Sequence, residues 1–361
     1  MFDFDVAVVI PMGGYSDRFP SSCPKQYFKI LGKPLFMFCL EEFYKLEYIK
    51  KICLVADNVV YVENVVQEYF QDSNCKVVVV HDGARPIVPK HLLEQVILEA
   101  SIQGAAGATR PLVSTVIKPC PTDDCLETSL ERHLFALSET PQAFLFHLIA
   151  HAYEQCTQEE LEKGTECLQL VLKYCFIRAK LIAGPDTLWK VTDKKDFYSV
   201  VPYMTERSTD VCLLGEEQTD VIQGLMTSLK DRVRMVQTFV DDKEMISSKE
   251  KFTTVICFHK YSASADNTLA MCDFRAAINV NSQGLIVHVM THKTAENVQS
   301  KSVSDILAHG TNLKNYYHDN LKKGVVIIHY LTCGQEERLV DLIISLIFID
   351  AQTISGQTLF L

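Results

Sequence analysis

The stretch "VVIPMGGYSDRFPSSCPKQ", residues 8–26, decides the fold of the first part of the chain. A short β-branched run is followed at once by Gly13 and Gly14, which predicts a buried strand that ends in a sharp bend. Two cations, Arg18 and Lys25, follow the bend before the next predicted helix. Glycine lets phosphate oxygens approach main-chain N–H groups, and the cations can balance phosphate charge. The stretch therefore predicts a phosphate-binding loop.

A Gly-Gly pair alone is weak evidence, because most such pairs are ordinary turns. The Walker pattern is absent, since no Gly-Lys-Ser/Thr follows, and the GxGxxG dinucleotide pattern is absent too. The combined pattern G-G-x-x-x-R-x-x-x-x-x-P-K-Q over residues 13–26 is far more specific.

Predicted strands alternate with predicted helices through the first half of the chain. Strands are predicted at Val6–Pro11, Lys51–Ala56, Lys76–Val80 and Ala108–Lys118, and helices at Pro34–Leu46, Val59–Phe70 and Lys90–Gly104. This alternation predicts an α/β fold with a mostly parallel, Rossmann-like sheet covered on both faces. In such sheets ligands bind at the carboxyl ends of the strands, where the glycine bend and "HDGARP" (81–86) are expected.

A second α/β pattern begins near Asp210, where "DVCLLG", "FTTVICFH" and "GVVIIHYLT" predict further strands. The polar stretch Thr205–Thr209 is the predicted boundary. The sequence therefore predicts one domain at 1–204 and a second, C-terminal α/β domain at 210–361.

Composition excludes several classes of function. The net charge is -10 and no Lys/Arg block stands out, so nucleic acid is not an expected partner. Thirteen cysteines are scattered without a CxxC pair or a Cys/His ligand spacing, which is typical of reduced intracellular thiols. No apolar stretch is long enough to cross a membrane, and Asp3 and Asp5 stand where a signal peptide would be basic. A cytosolic protein with no membrane partner is expected.

Five stretches resemble, in chain order, the IspD/TarI-type cytidylyltransferases, which join CTP to a sugar-alcohol phosphate. They are residues 8–26, "HDGARP" (81–86), "ETPQAF" (139–144), "GTECLQL" (164–170) and "LWKVTDKKDF" (188–197). The segments "RPLVSTV" and "GTECLQL", together with the C-terminal unit, resemble the vertebrate branch of the family, which acts on D-ribitol 5-phosphate.

The resemblance implies a nucleotidyltransferase domain that converts CTP and D-ribitol 5-phosphate to CDP-ribitol and pyrophosphate, in support of O-mannosyl glycan synthesis on dystroglycan-type glycoproteins. Both reactants are anions, so charge neutralisation and alignment are expected to dominate catalysis. The resemblance also implies a homodimer, through an arm near residues 115–140.

The family's catalytic cations correspond to Arg18, Lys25 and Lys190 in this sequence. Gly13 and Gly14 would hold the triphosphate with their N–H groups, and the cations would stabilise charge on the α-phosphate and the departing pyrophosphate. From the residues alone, Lys190 could equally be a solvated lysine with a packed stem.

By the same resemblance, Asp82 would hold Mg²⁺, another divalent cation, or the ribose, and Arg85 and Thr140 would fix the second phosphate substrate. A lone strand-end carboxylate suits a metal ion that keeps most of its waters. Other interpretations stay open from the residues alone. Asp82 and Arg85 could form a structural ion pair. His81 could be a packed strand-end histidine, and Glu166 an acid in a helix first turn.

The sequence departs from the family pattern in two places. Ser16 stands where family members usually carry a glycine. No Gly or Arg lies between Lys51 and Lys76, so the Gly-rich loop that recognises cytosine is predicted to be missing near residues 71–76. A site without those partners loses base discrimination. The missing loop favours one alternative, an inactive form that acts as an interaction module. A second alternative within the same fold is a transferase for 2-C-methyl-D-erythritol 4-phosphate, against which the C-terminal extension argues.

The segment "VDLIISLIFIDAQTISGQTLFL" (340–361) resembles the tail of short-chain dehydrogenases. The Gly-rich nucleotide loop of that family is absent, and so is its Tyr-x-x-x-Lys pair, since Asn320 follows Tyr316 and Leu321 follows Tyr317 at that spacing. The second domain is therefore predicted to be a packing or dimer-assisting scaffold without dehydrogenase chemistry.

Overall fold

The computed structural model describes residues 2–13, 24–55, 75–163, 166–215, 220–260, 276–279, 284–292, 315, 323–331 and 334–361. The chain divides into two compact units, Met1–Val200 and Val201–Leu361. Among the helices in these ranges, none is long and apolar enough to span a bilayer.

The first unit is an α/β unit built on one large sheet. Its strands are β1 (Asp5–Pro11), β2 (Lys29–Ile30), β3 (Lys33–Pro34), β4 (Ile49–Val55), β5 (Cys75–Val80), β6 (Ala105–Pro111), β7 (Ile117–Pro119), β8 (Leu126–Ser129), β9 (Ala136–Leu145) and β10 (Lys180–Ala183). Its helices are α1 (Leu35–Tyr44), α2 (Lys90–Gln103), α3 (Phe146–Gln155), α4 (Gln158–Lys163) and α5 (Cys167–Cys175), and a further helix, α6 (Lys194–Ser208), begins in this unit and ends in the second.

The main sheet has the order β10-β6-β9-β5-β1-β4. Strand β1 pairs in parallel with β4 and β5, and β10 pairs in parallel with β6. Strand β9 runs antiparallel between β5 and β6. The predicted α/β class with a mostly parallel sheet is confirmed. Because β1 is flanked on both sides, its β-branched run is wholly buried, as the sequence predicts.

Helix α2 shows how the pattern of apolar residues positions the helices. Its buried residues are those predicted to share one face: Leu92, Leu93, Val96, Ile97 and Ala100. They pack in the same core as Val6, Val8 and Ile10 of β1. The helix ends at Gly104, whose φ of +95° is a conformation that residues with a Cβ rarely adopt.

The predicted strand Ala108–Lys118 is wrong in its extent. Strand β6 stops at Pro111, and the next strand, β7, pairs with β8 in a separate two-stranded arm. Pro111 has no N–H to donate, so it cannot take a full place within the ladder. The predicted helix Val59–Phe70 lies outside the described residues.

The second unit is a parallel α/β unit. Its strands are β11 (Asp210–Leu214), β12 (Met235–Phe239), β13 (Thr254–Lys260), β14 (Leu285–His292), β15 (Gly324–Leu331) and β16 (Gln357–Phe360). Its helices are α7 (Asp220–Leu229), α8 (Asp242–Ser247), α9 (Glu336–Ile347) and α10 (Ala351–Ile354). The six strands run in the order β12-β11-β13-β14-β15-β16, and every neighbouring pair is parallel. The predicted second α/β unit is confirmed.

Candidate active site

The segment after β5 lies directly against the end of β1. The backbone N–H of His81 donates to the carbonyl of Val9 at 3.0 Å, and that of Gly83 donates to the carbonyl of Pro11 at 3.2 Å. A Cβ at position 83 would lie 3.1 Å from the Pro11 oxygen, so this close approach favours glycine. The segments after β1 and β5, which the sequence predicts to be functional, therefore meet at one edge of the sheet.

Asp82 and Lys190 form an ion pair at this edge. The Nζ atom of Lys190 lies 2.5 Å from Oδ2 of Asp82, and both side chains are partly exposed. The other carboxylate oxygen, Oδ1, accepts from the Ala84 N–H at 2.9 Å. The Val191 N–H donates to the Ala84 carbonyl at 3.0 Å, which fixes the segment that carries the lysine.

The pair keeps Asp82 ionised. Burial pushes the pKa of Asp82 upward, but the charge and hydrogen bond of Lys190 and the N–H of Ala84 outweigh burial, so the pKa lies below its usual range. The sequence did not identify this partner, since it left open an ion pair between Asp82 and Arg85.

His81 holds Thr140 in place. The ring is fully buried, and its Nε2 lies 3.0 Å from the carbonyl oxygen of Arg85. A carbonyl can only accept, so Nε2 carries the proton and Nδ1 accepts from the Thr140 hydroxyl at 3.1 Å. The Thr140 oxygen in turn accepts from the Asp82 N–H at 3.3 Å. Burial lowers the pKa of His81 to about 4, so the ring is neutral at pH 7. The interpretation of His81 as a packed strand-end residue is confirmed.

Arg85 is engaged in a buried charge cluster. Its Nη1 donates to the Glu139 carboxylate and to the Leu188 carbonyl, and the residue is 9% exposed. Arg110 reaches the same carboxylate, with its Nε 2.7 Å from Glu139 Oε1. Two guanidinium groups therefore share one carboxylate, which leaves a net positive charge beside Thr140.

The glycine bend is described in part. The Gly13 carbonyl accepts from the Gln26 side-chain amide at 3.2 Å, so the two ends of the predicted phosphate loop lie together. Lys25 is 8% exposed and begins a single 3₁₀ turn, Lys25–Tyr27. Gly14 and Arg18 lie outside the described residues.

Two glutamates, Glu166 and Glu139, make structural contacts, and the sequence indicated only the first of them. Glu166 caps helix α5, accepting from the Gln169 N–H at 2.9 Å, which confirms its interpretation as a helix-start acid. It also accepts from the Gln142 side chain at 2.5 Å. Glu139 was not predicted from the sequence. Its place beside Thr140 in "ETPQAF" is the one local signal, and its arginine partners come from β6 and from the segment after β5.

This edge, with charged side chains gathered at the ends of β1 and β5, is typical of α/β proteins that bind ligands at the carboxyl ends of parallel strands. The model of the 2-C-methyl-D-erythritol 4-phosphate cytidylyltransferase (IspD) family matches residues 61–206. The enzyme of that name from Syntrophus aciditrophicus is 30% identical over 218 residues, which cover 53% of this chain and 92% of that protein. The chain therefore belongs to this cytidylyltransferase family.

The D-ribitol-5-phosphate cytidylyltransferase of Homo sapiens is 38% identical over 249 residues, covering 60% of this chain and 55% of that protein. The chain thus spans about half the length of the curated relatives that it matches at this level. A solved structure, the Francisella tularensis 2-C-methyl-D-erythritol 4-phosphate cytidylyltransferase, is 23% identical, covers 54% of this chain and 98% of its own, and has a TM-score of 0.45.

Proposed function

We propose that the chain is a nucleotidyltransferase that converts CTP and D-ribitol 5-phosphate to CDP-ribitol and pyrophosphate. Membership of the cytidylyltransferase family supports the CTP half of this proposal. The relatives at 36–38% identity that are named for D-ribitol 5-phosphate support the choice of pentitol. The observation that carries the proposal is the Asp82–Lys190 pair at the edge where β1 opens into the Gly13 bend.

In the proposed reaction, a phosphate oxygen of the pentitol phosphate attacks the α-phosphorus of CTP. One oxygen–phosphorus bond forms, the bond to the β-phosphate oxygen breaks, and pyrophosphate leaves. A phosphate is already ionised at neutral pH, so the chain needs no general base. Its task is to align two anions and to offset their charge.

Lys190, Lys25 and Arg18 would supply that positive charge. Arg18 lies outside the described residues and Lys25 is 8% exposed, whereas the Lys190 ammonium is held at the end of β5 and is partly exposed, so it can turn to an α-phosphate without losing contact with Asp82. Lysine acts on phosphate as a point charge, which tolerates such a movement. Gly13 and Gly14 would present N–H groups to the triphosphate.

The second phosphate substrate would bind near Thr140 and Arg85. The Thr140 hydroxyl is oriented by His81, and the excess charge of Arg85 and Arg110 over Glu139 attracts an anion to this part of the site. Because Arg85 is itself buried against Glu139, its proposed role is to keep positive charge fixed near the bound phosphate.

A divalent cation, Mg²⁺ in the first instance, fits Asp82. Glu139 is tied to two arginines, whereas Asp82 is ionised and partly exposed, and one carboxylate suits a metal ion that keeps its waters and binds phosphate oxygens. When bound, the ion would neutralise charge on the triphosphate.

The proposal includes a homodimer and a cytosolic location. Large apolar side chains are exposed on and beside the arm of β7 and β8, with Val113, Ile117 and Leu126 exposed to 78%, 57% and 65%. Exposed apolar patches favour an interface, and a second copy of the chain is the partner that we propose. The product would serve O-mannosyl glycan synthesis on dystroglycan-type glycoproteins.

The test is pyrophosphate release by the purified chain with CTP, Mg²⁺ and a panel of acceptors. D-ribitol 5-phosphate is expected to give the highest kcat/KM. Faster turnover of 2-C-methyl-D-erythritol 4-phosphate would assign the chain to the other branch of the family. No turnover, with no heat of CTP binding by calorimetry, would show an inactive module and refute the proposal.

A further inference from the structure

Three ligand-bearing side chains lie together on one face of the second sheet. Cys257 and His259 are two residues apart on β13, so they point to the same face. His288 of β14 is the register partner of Cys257. The thiol sulfur and one nitrogen of each imidazole all lie within 4.8 Å of one another.

The cluster is placed as a metal site would be. Cys257 is 1% exposed and His288 is 0% exposed, while His259 is only partly buried and lies towards the carboxyl end of β13. The Nε2 atom of His259 lies 3.0 Å from Nδ1 of His288. Two imidazoles about 2.0–2.1 Å from one tetrahedral ion have nitrogens roughly 3.3 Å apart, so the pair needs to open only slightly.

We propose that Cys257, His259 and His288 bind a divalent transition-metal ion of the Zn²⁺ class. One thiolate and two imidazoles form a borderline-soft set that suits Zn²⁺ and its spectroscopic substitute Co²⁺, and the cluster offers no carboxylate for Mg²⁺ or Ca²⁺. Three protein ligands leave a fourth position for water or another ligand. Binding releases the thiol proton to solvent as the metal–sulfur bond forms.

The site belongs to the second unit and does not depend on the proposed transferase activity. The sequence predicted a scaffold without dehydrogenase chemistry for this unit, and metal binding gives that scaffold a ligand of its own. Among the residues that the structure describes, this is the only group of three or more such side chains.

The test uses the full chain, freed of metal by dialysis against a chelator and titrated with Co²⁺. We expect one equivalent to bind, with a thiolate-to-cobalt charge-transfer band and visible bands of tetrahedral intensity. X-ray absorption of the Zn²⁺-loaded wild type should show one sulfur and at least two nitrogen ligands, a readout that needs no variant to fold.

Variants then assign the ligands. Cys257→Ser should abolish the charge-transfer band, and His259→Gln, at the more exposed position, should weaken Co²⁺ binding at least about tenfold. Cys212→Ser is the matched control, since Cys212 is a buried cysteine in the same core cluster, and it should keep the band. Circular dichroism checks that each variant is folded.

Three results would overturn the proposal. The first is no stoichiometric Co²⁺ binding by the wild type. The second is a charge-transfer band that persists in folded Cys257→Ser. The third is an X-ray absorption spectrum that shows several sulfur ligands on the metal, which would place the metal on other cysteines. If the chain binds Co²⁺ but releases no pyrophosphate, the result counts against the proposed transferase activity and leaves the metal site standing.

Discussion

The ammonium of Lys190 lies 2.5 Å from the Asp82 carboxylate, although the two residues are distant in sequence. The contact joins the end of β5 to the segment before α6, so the pair brings two family motifs to one point. It also keeps the Asp82 carboxylate ionised at the strand edge, where we propose that a metal–nucleotide complex binds.

Lys190→Ala should lower kcat/KM for pyrophosphate release by at least about a hundredfold, because the variant loses the charge that we propose acts on the α-phosphate. Stability should change by less than about 1 kcal/mol, since the pair is partly exposed. Steady-state kinetics and urea unfolding measure the two effects. Lys195→Ala, at an exposed lysine on α6, is the control. Equal activity in both variants would exclude Lys190 from the site.

Glu139→Gln should destabilise the first unit strongly. The variant leaves Arg85 and Arg110 without their shared counter-charge, and breaking a buried pair costs about 3–5 kcal/mol. Glu127→Gln, which removes an exposed partner of Lys118, should cost less than about 1 kcal/mol. Urea unfolding of both variants gives the comparison, and similar small losses would mean that the buried cluster adds no stability.

Thr140→Val should remove the link between the Asp82 N–H and His81 Nδ1, leaving two polar groups without their partner. The expected cost is about 1–3 kcal/mol of unfolding free energy. Thr140→Ser retains the hydroxyl and should restore most of the stability. If Ser and Val behave alike, the hydroxyl is not the group that matters.

Stability of the first unit should fall on acidification between about pH 6.5 and pH 4. The folded-state pKa of His81 is about 4, below the value of about 6.5 expected when unfolded, so the unfolded chain takes up a proton first as the pH drops. The lowered pKa of Asp82 acts in the same direction, since its stabilisation is lost as the carboxyl is protonated.

The pH effect is measured as unfolding free energy against pH. His81→Gln should flatten the slope between pH 6.5 and pH 4, while His91→Gln, at an exposed histidine, should leave it unchanged. A slope that is the same in wild type and His81→Gln would assign the acid sensitivity to other groups.

The sequence predicted those features that depend on neighbours along the chain. Strands β1 and β5 were predicted from apolar runs, and the buried face of α2 was predicted from the helical period of its apolar residues. Both patterns depend only on residues close together in the sequence. The antiparallel direction of β9 was not predicted, because alternation of strands and helices specifies neither strand order nor the direction of an inserted strand.

The same limit applies to the contacts of the site. Glu139 meets Arg85 and Arg110 only because β9 lies between β5 and β6. The Cys257 cluster shows no ligand spacing in the sequence, since its third member comes from the register of a neighbouring strand. The predicted roles of Gly14 and Arg18 stay predictions.

Strand β9 also connects the exposed arm of β7 and β8 to two residues of the candidate active site. The exposed arm ends at Ser129, and the chain then runs through a short turn into β9, which begins at Ala136 and carries Glu139 and Thr140. In the proposed homodimer, a contact between the arm and a second copy would thus be joined by a short stretch of backbone to the residues that would bind the acceptor. We therefore expect dimer formation to affect acceptor binding in the proposed transferase.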